Sequence, residues 1–345
     1  MRHRVVAFIG ALAVACALVK LASVPLAAQS AATKAKVAAK AGPAPKTLWG
    51  DPDLGGVWTN ATITPLERPK QFEGKQVLTE EEAASHEAEV ASGKVTPVGH
   101  VSHKLDAPGA GGAVGLYNDF WMEQGSKVVG DRRTSLIVDP PDGKIPALTP
   151  EAQKRAEARA EARRKRGPAD SWEDVSIQNR CIVWSGGIPH LPSFYNNNYQ
   201  IFQTRDHVAI VAEMIHNTRI IPLDGRPHLQ QNVRQWFGDS RGHWEGNTLV
   251  VETTNLTDRT LFRGASENMR LTERFTRVDA DTVKYEFTVN DPTTFTRPWS
   301  AEIPMVKTAN FIYEYACHEG NYALEGILSG ARADDRKAAE APKKP

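Results

Sequence analysis

The chain has 345 residues, of which 41% are hydrophobic and 24% are charged, and its formal net charge at pH 7 is +1. The first thirty residues hold three of the 42 basic residues and none of the 41 acidic ones, so the rest of the chain carries a net charge of −2 with its histidines neutral. This weakly acidic balance excludes a general electrostatic attraction to nucleic acid or to anionic lipid.

The N-terminus has the layout of a secretory signal. Arg2 and Arg4 precede the apolar run Val5–Val19, and small residues continue to Ser30. An apolar run of this length is shorter than a membrane-spanning helix requires. We therefore expect a signal peptide over residues 1–30, and a mature protein that is exported to the periplasm or the cell exterior without an integral membrane span.

Two segments contain almost no large apolar residues. Residues 31–46 consist mainly of alanine, lysine and proline, and residues 333–345 have a similar composition with added acidic residues. Neither segment can bury enough apolar surface to offset the entropy of ordering it. The composition predicts a disordered linker, one β-rich domain over residues 47–332, and a disordered tail.

Short apolar runs separated by turn residues dominate the chain after residue 198. They predict strands at residues 199–204, 207–216, 218–223, 249–254, 269–278, 282–289, 295–305 and 311–317. Successive strands with short turns and no interleaved helices predict a mainly β fold, an antiparallel barrel or sandwich. A Gly-x-Trp motif ending at Trp58 predicts a first strand and, because lipocalin-type barrels open in this way, favours a lipocalin-like barrel.

Start signals mark two peripheral helices. Thr79 and Glu82 form a capping box that predicts a helix over residues 79–92. Thr149 followed by Pro150 predicts a second helix over residues 149–166. The second helix has hardly any large apolar side chain, so we expect a solvated arm, which leaves a structural or envelope-interaction protein as one weaker hypothesis.

Two of the three cysteines, Cys181 and Cys317, lie outside the predicted signal. A pair of cysteines in an exported chain favours a disulfide. The alternatives are two buried thiols, or a metal site that includes His318 beside Cys317. We expect the disulfide and no metal.

Four segments together resemble a large family of secreted proteins of soil bacteria, notably acidobacteria. These segments are Tyr195–Thr204, Pro222–His228, Gly242–Asn255 and Tyr313–Tyr322. The resemblance covers most of residues 52–332 and implies export, a β-rich fold and a cysteine in each of the segments around residues 181 and 317. The family has no established activity, so the resemblance supplies no catalytic residue.

Glu213 is a candidate catalytic carboxyl because it stands in an apolar strand. In a regular strand it points to the face opposite His216, so the two cannot share a proton. Burial favours the neutral form of a carboxyl, which is how general acids are made. The structural explanation is a buried salt bridge to Arg219 or Arg274, and it has slightly more weight.

Asp224, Arg226 and His228 fall within one turn. Loops held by rigid strands are common places for binding and catalytic groups, and histidine exchanges protons near neutral pH. Simple turn chemistry, with Arg226 bridging to a carboxylate, explains the same residues equally well. We keep His228 as a catalytic candidate and the other two as ligand-binding candidates.

The segment that follows Cys317 is the most unusual in the chain. A disulfide there would fix His318 as a candidate base and Glu319 as a candidate acid or orienting group, with Tyr322 beside them. The structural explanation is a strand end that caps the barrel rim.

Aromatic and amide side chains suit a sugar or phenolic ligand. The further ligand-binding candidates are Asn197, Arg219, Trp236 and Trp299. An ordinary core with an Asn-rich turn explains the same residues. No nucleophile elbow, zinc-protease, dinucleotide or P-loop motif is present in the sequence, so no cofactor is expected.

The sequence therefore predicts an exported enzyme that uses acid–base chemistry on a small polar or aromatic molecule, a sugar or a phenol. Its reaction type is open between lyase, hydrolase and isomerase. The alternative is a non-catalytic, lipocalin-like protein that binds the same kind of small molecule. The oligomeric state does not follow from the sequence.

Overall fold

The structure is a computed structural model that describes residues 44–95, 123, 125–167, 169–183, 188–259 and 262–340. The predicted signal peptide and most of the predicted linker lie outside the described residues, as does Cys16. These described residues form ten strands and three α-helices.

The strands are mostly short and follow the apolar runs of the sequence. They are β1 (Gly56–Thr59), β2 (Ile137–Asp139), β3 (Asn198–Gln203), β4 (His207–Ala212), β5 (Thr218–Pro222), β6 (Asp239–Glu245), β7 (Thr248–Thr254), β8 (Arg270–Arg277), β9 (Thr282–Asn290) and β10 (Trp299–Lys307). Nine of them form one antiparallel sheet in the order β5-β4-β3-β1-β10-β9-β8-β7-β6, and β2 pairs with β10 beside the path. The sheet curls into a nearly closed barrel, which confirms the predicted mainly β, antiparallel fold.

The barrel closes where β5 meets β6, and we call this line the seam. Nine strands that alternate in direction leave the first and last strands of the sheet running the same way. No backbone ladder joins β5 to β6 in the part of the chain that the structure describes. Side chains must therefore hold the seam together.

Gly242 of β6 lies close to β5 and to the residue that follows it. A Cβ atom at this position would lie 2.7 Å from Leu223 Cδ2 and 2.9 Å from Ile221 Cγ2. Both distances are shorter than van der Waals contact, so a residue with a side chain would push the two strands apart. Glycine at position 242 allows the barrel to close.

Large side chains fill the interior of the barrel. The largest that are fully buried include Trp58, Trp299, Tyr285, Phe275 and Phe287. In β8, β9 and β10 alternate residues are buried, as expected for strands with one face towards a core. The inward faces thus form a hydrophobic core of large buried side chains, and the lipocalin-like character of the barrel stays a prediction.

Trp58 is part of this core, as its Gly-x-Trp motif suggested. Its indole Nε1 donates a hydrogen bond to the Leu54 carbonyl at 2.9 Å. The Arg277 guanidinium lies 4.4 Å above its ring. The motif therefore begins the first strand and anchors it inside the barrel.

Both predicted helices are present. Helix α1 (Glu80–Ala91) begins with the expected capping box, in which the Thr79 hydroxyl accepts from Glu82 N–H and the Glu82 carboxylate accepts from Thr79 N–H. Helix α2 (Pro150–Arg164) begins at the Thr149 cap and buries only Ala152. The local start signals were sufficient to place both helices.

Three segments differ from the sequence-based expectation. The strand predicted over 207–216 ends at Ala212, because the next residues turn sharply with Ile215 and His216 at φ +57°. Residues 311–317 form no strand, and they cross the barrel surface as an irregular segment. A third helix, α3 (Tyr322–Glu340), extends through most of the segment that composition assigned to a tail.

The predicted disulfide is present between Cys181 and Cys317, whose Cα atoms are 5.7 Å apart. It joins the loop before β3 to residues 308–321, which we call the disulfide loop. The cysteines are 136 positions apart in sequence, and closing a loop of this length stabilises the folded chain by about 5 kcal/mol in the chain-entropy model.

The structure contains no helix within its described residues that has the length and apolar character needed to cross a membrane.

We expect Gly242→Ala to lower the free energy of unfolding by about 1–3 kcal/mol, because the added methyl group separates β5 from β6. Urea-induced unfolding measures this change. Gly130→Ala is the matched control, since a Cβ there meets no atom within 4 Å. Equal stability of the two variants would contradict the close approach at the seam.

We also expect Cys181 and Cys317 to be protected from alkylation in the denatured, unreduced protein, and to react after reduction. Intact mass and peptide mapping measure both states. Two alkylated cysteines before reduction would show that the disulfide does not form, and would return the thiol and metal alternatives to consideration.

Candidate functional site

Most of the polar side chains that could take part in catalysis lie at one end of the barrel. At this end β5 and β6 begin and β4 stops, and we call it the polar end. It gathers a histidine–aspartate pair outside the barrel, an ion-pair network inside it, and a buried glutamate at its rim.

The histidine–aspartate pair consists of His228 and Asp239. His228 Nδ1 lies 2.9 Å from Asp239 Oδ2, and the His228 side chain is 27% exposed. Asp239 is buried, its Oδ2 also accepts from Leu229 N–H at 3.0 Å, and its Oδ1 lies 2.7 Å from Arg241 Nη1. The carboxylate is therefore fixed on both oxygens and orients the imidazole, whose Nε2 is left for another partner.

His228 belongs to residues 223–238, which connect β5 to β6 and which we call the seam loop. Asn255, which is buried, holds this loop through its side-chain amide. Its Nδ2 donates to the carbonyls of Leu229, Gln230 and Val233 at 3.3, 2.8 and 2.9 Å. A further hydrogen bond from Arg241 Nε to the Pro227 carbonyl, at 3.3 Å, fixes the backbone immediately before His228. The loop is thus tied down on both sides of the histidine.

Asp224 and Arg226 form an exposed ion pair with each other. The guanidinium of Arg226 lowers the pKa of Asp224 to about 2, mainly through side-chain hydrogen bonding. This is the turn chemistry that the sequence offered as the structural explanation. Trp236, the third ligand-binding candidate of the seam loop, is half-buried.

Inside the barrel, Arg219 and Glu273 form a fully buried ion pair. Arg219 Nη1 donates to Glu273 Oε1 at 3.0 Å and Arg219 Nη2 donates to Oε2 at 2.6 Å. Tyr285 Oη donates to the same carboxylate at 2.8 Å. Burial raises the pKa of Glu273, but the charge and hydrogen bonds of Arg219 outweigh it and leave that pKa below its usual value.

His190 completes this network from the loop before β3. Its Nε2 lies 3.2 Å from Arg219 Nη1, so the ring nitrogen accepts the hydrogen bond and the imidazole is neutral. Burial and the neighbouring Arg219 charge lower the pKa of His190 to about 3. Arg219 was predicted to bind ligand or to pair with Glu213, but the structure places it in the core because Glu273 is its partner there.

Glu213 lies in the sharp turn after β4 and is only 2% exposed. Its Oε2 accepts from Asn198 Nδ2 at 2.8 Å, and its Oε1 accepts from the Tyr313 N–H of the disulfide loop at 3.2 Å. The salt bridge expected to Arg219 or Arg274 is absent, since Arg274 instead contacts Glu245. Among the described residues, both groups that donate to Glu213 are therefore neutral.

A second carboxyl group approaches the same amide. Asn198 Nδ2 lies 3.4 Å from Glu123 Oε2. Partial burial, followed by the nearby charge of Glu213, raises the pKa of Glu123. The disulfide loop contacts Glu213, which is buried, whereas Glu123 is exposed.

Two predicted ligand-binding residues have structural positions. The Asn197 side chain closes its own loop, because Oδ1 accepts from Ser193 N–H at 2.6 Å and Nδ2 donates to the Ser193 carbonyl at 2.9 Å. Trp299 is fully buried among Phe262, Phe287 and Phe295. Neither presents its polar atoms or its ring to the outside of the barrel.

The remaining candidates, His318, Glu319 and Tyr322, are exposed. Among the described residues, neither His318 nor Glu319 forms a side-chain hydrogen bond or ion pair. The disulfide fixes the backbone beside them but not their side chains. The structure therefore does not bring His318 and Glu319 together with His228 or Glu213.

Sequence reasoning did not find His190, Asp239, Asn255 or Glu273. Asp239 precedes the Gly242–Asn255 motif by three residues and Asn255 ends it, so their partners depend on the path of the seam loop. Glu273 is an isolated acidic residue on the inward side of an apolar strand, which is a usable signal of a buried partner.

No cluster of three or more His, Cys, Asp or Glu side chains with the geometry of a metal site occurs among the described residues. Comparisons of the chain with protein-family models, with curated proteins and with solved structures found no match. The function of the polar end is therefore inferred from its geometry.

We expect the protein to lose stability as the pH falls below 6.5, in part through His190. Between pH 6.5 and about 3 the unfolded chain binds a proton at this residue and the folded chain does not, so the free energy of unfolding falls by about 1.4 kcal/mol per pH unit from this group. His190→Gln should reduce the slope by that amount in urea unfolding measured across this range.

The control for this experiment is His243→Gln, because His243 lies on the outer face of β6 with its side chain 55% exposed. Its pH slope is the reference with which the slope of His190→Gln is compared. Equal slopes in the two variants would mean that His190 is protonated in the folded protein.

Proposed function

We propose that the protein is an exported enzyme that performs acid–base chemistry on a small polar or aromatic molecule, with His228 as the proton-accepting group. The observation that carries this proposal is the 2.9 Å contact between His228 Nδ1 and Asp239 Oδ2. A carboxylate in this position fixes the imidazole tautomer and favours the charge that forms when Nε2 takes a proton.

The setting of the pair supports a catalytic role over a purely structural one. A structural histidine can satisfy its hydrogen bonds deep in the core, as His190 does. His228 instead keeps part of its ring in contact with solvent while Arg241, Leu229 and Asn255 hold its surroundings. A fixed carboxylate behind a reachable imidazole is the arrangement that general-base catalysis requires.

The substrate class follows from the position of the pair. His228 lies on the outside of the barrel, so a molecule that reaches it approaches along the seam loop. That loop offers the apolar surfaces of Leu229 and Trp236 and the ion pair of Asp224 with Arg226. These groups suit a small molecule with both an apolar face and polar substituents, such as a sugar or a phenol.

The alternative is a non-catalytic binding protein of the lipocalin type. Such a carrier holds its ligand inside the barrel. Here the inward side chains of β8, β9 and β10 are buried and belong to one hydrophobic cluster. The packed interior favours a site outside the barrel, and hence the enzyme.

Export is part of the proposal. The basic and apolar pattern of residues 1–30 supports it, and so does the disulfide between Cys181 and Cys317, since such bonds persist in oxidising compartments.

The test compares the wild-type protein with His228→Gln and Asp239→Asn on nitrophenyl glycosides, aryl esters and phenolic acids. We expect His228→Gln to lower kcat by about 10²–10⁴-fold, the usual contribution of a general base. Asp239→Asn should lower kcat as well, because the imidazole loses its orienting carboxylate. His243→Gln is the matched control, since His243 also lies beside a glutamate but with both side chains about half exposed.

A second measurement does not depend on the choice of substrate. Nitrogen NMR of the imidazoles should show neutral His228 protonated at Nδ1, and Asp239→Asn should abolish this preference. An Nε2-protonated His228, or turnover that survives His228→Gln, would overturn the proposal. A ligand that binds and is recovered unchanged would favour the carrier.

A further inference from the structure

A cavity of about 550 Å³ lies on the outer face of the barrel, between the segment of residues 46–49 and strand β3. Its volume falls within the range of small-molecule sites, roughly 300–1,000 Å³. Strand β3 ends here, so the cavity is at the end of the barrel opposite the polar end. It is therefore separate from His228.

Apolar rings form part of the cavity wall. Phe202 points outward from β3 and is 51% exposed, although it is a large aromatic residue. Trp49 faces the same cavity, and its Nε1 donates to Asp51 Oδ2 at 3.0 Å, which fixes the orientation of the indole. A fixed indole and an exposed phenyl ring offer flat surfaces on which a ligand ring can stack at little cost in side-chain entropy.

The same wall has two polar groups that are available to hydrogen bond with a ligand. The Gln200 amide forms no hydrogen bond with a described residue, and neither does the Lys46 ammonium. Gln203, three positions after Gln200 at the end of β3, is different. Its Oε1 accepts from Leu54 N–H and its Nε2 donates to the Pro52 carbonyl, both at 3.0 Å. The Gln203 amide is therefore occupied by the backbone of Pro52 and Leu54, whereas the Gln200 amide is available to a ligand.

The two charged side chains that line the cavity have opposite signs. Lys46 contributes a positive charge and Asp53 a negative one. A strongly charged ligand gains nothing from such a pair, whereas a neutral molecule with hydroxyl groups can bond to both as well as to the Gln200 amide.

From these features we infer that the cavity binds a neutral carbohydrate. One face of a pyranose ring stacks on Phe202 and Trp49, and its hydroxyl groups hydrogen bond to Gln200, Lys46 and Asp53. A purely apolar ligand would leave the Gln200 amide and the Lys46 ammonium without a partner, and a purely polar one would leave the rings exposed. The cavity therefore anchors the protein to a glycan independently of the chemistry at His228.

The experiment applies the purified protein to a glycan array and then to calorimetric titration with short neutral oligosaccharides of glucose, mannose, xylose and galactose. Oligogalacturonate serves as the charged counterpart. We expect binding to at least one neutral series and no preference for the uronate. Phe202→Ala should weaken this binding by about tenfold, the value of one good ring contact, and Gln200→Ala should weaken it as well.

Ile220→Ala is the matched control. Ile220 lies on the same outer face, across Ala209 from Phe202, and is 65% exposed, but it is outside the cavity. It should bind as the wild type does. Thermal unfolding of each variant shows that the fold is retained.

The inference is overturned if no neutral oligosaccharide binds, if only uronates bind, or if Phe202→Ala and Gln200→Ala bind as tightly as Ile220→Ala. These results are independent of the turnover measurements on His228, so either proposal can fail without the other.

Discussion

The ion pair between Arg219 and Glu273 holds the barrel together at its weakest line. β5 and β6 run in the same direction and share no backbone ladder, so the seam lacks the hydrogen bonds that join the other eight pairs of neighbouring strands. Arg219 reaches inward from β5 to Glu273 on β8 and lies 3.5 Å from Ser240 Oγ on β6. The pair is desolvated at a cost, and its several hydrogen bonds offset that cost while fixing one relative position of the strands.

The position of the candidate catalytic pair follows from the same seam. Because β5 and β6 are parallel neighbours, the chain has to return along the outside of the barrel before β6 can begin. The seam loop makes this return and carries His228, and Asp239 is the first residue of the strand that the loop enters. The parallel arrangement of β5 and β6 thus requires the seam loop, and it places the Asp239 carboxylate beside the histidine of that loop.

The buried interior favours the outer surface of this barrel as the place for the proposed ligand chemistry. Trp58, Tyr285 and Trp299 are fully buried inside it. The outer surface instead holds the His228 pair near one end and the cavity beside Phe202 near the other. The packed core can therefore serve as a rigid support on which loops of different chemistry are displayed.

Alternating apolar residues predicted the strand-rich fold, and capping residues predicted the starts of α1 and α2, because both signals act over a few neighbouring residues. The pairing of Cys181 with Cys317 followed by elimination, since no other cysteine lies outside the predicted signal peptide. His228, one residue of the candidate site, was also found within its turn. The tertiary structure was needed to find that Asp239 is its partner, that Glu273 pairs with Arg219, and that Trp299 lies in the core. These pairings depend on strand register and on closure at the seam, and residues far apart in the chain meet only after both are set.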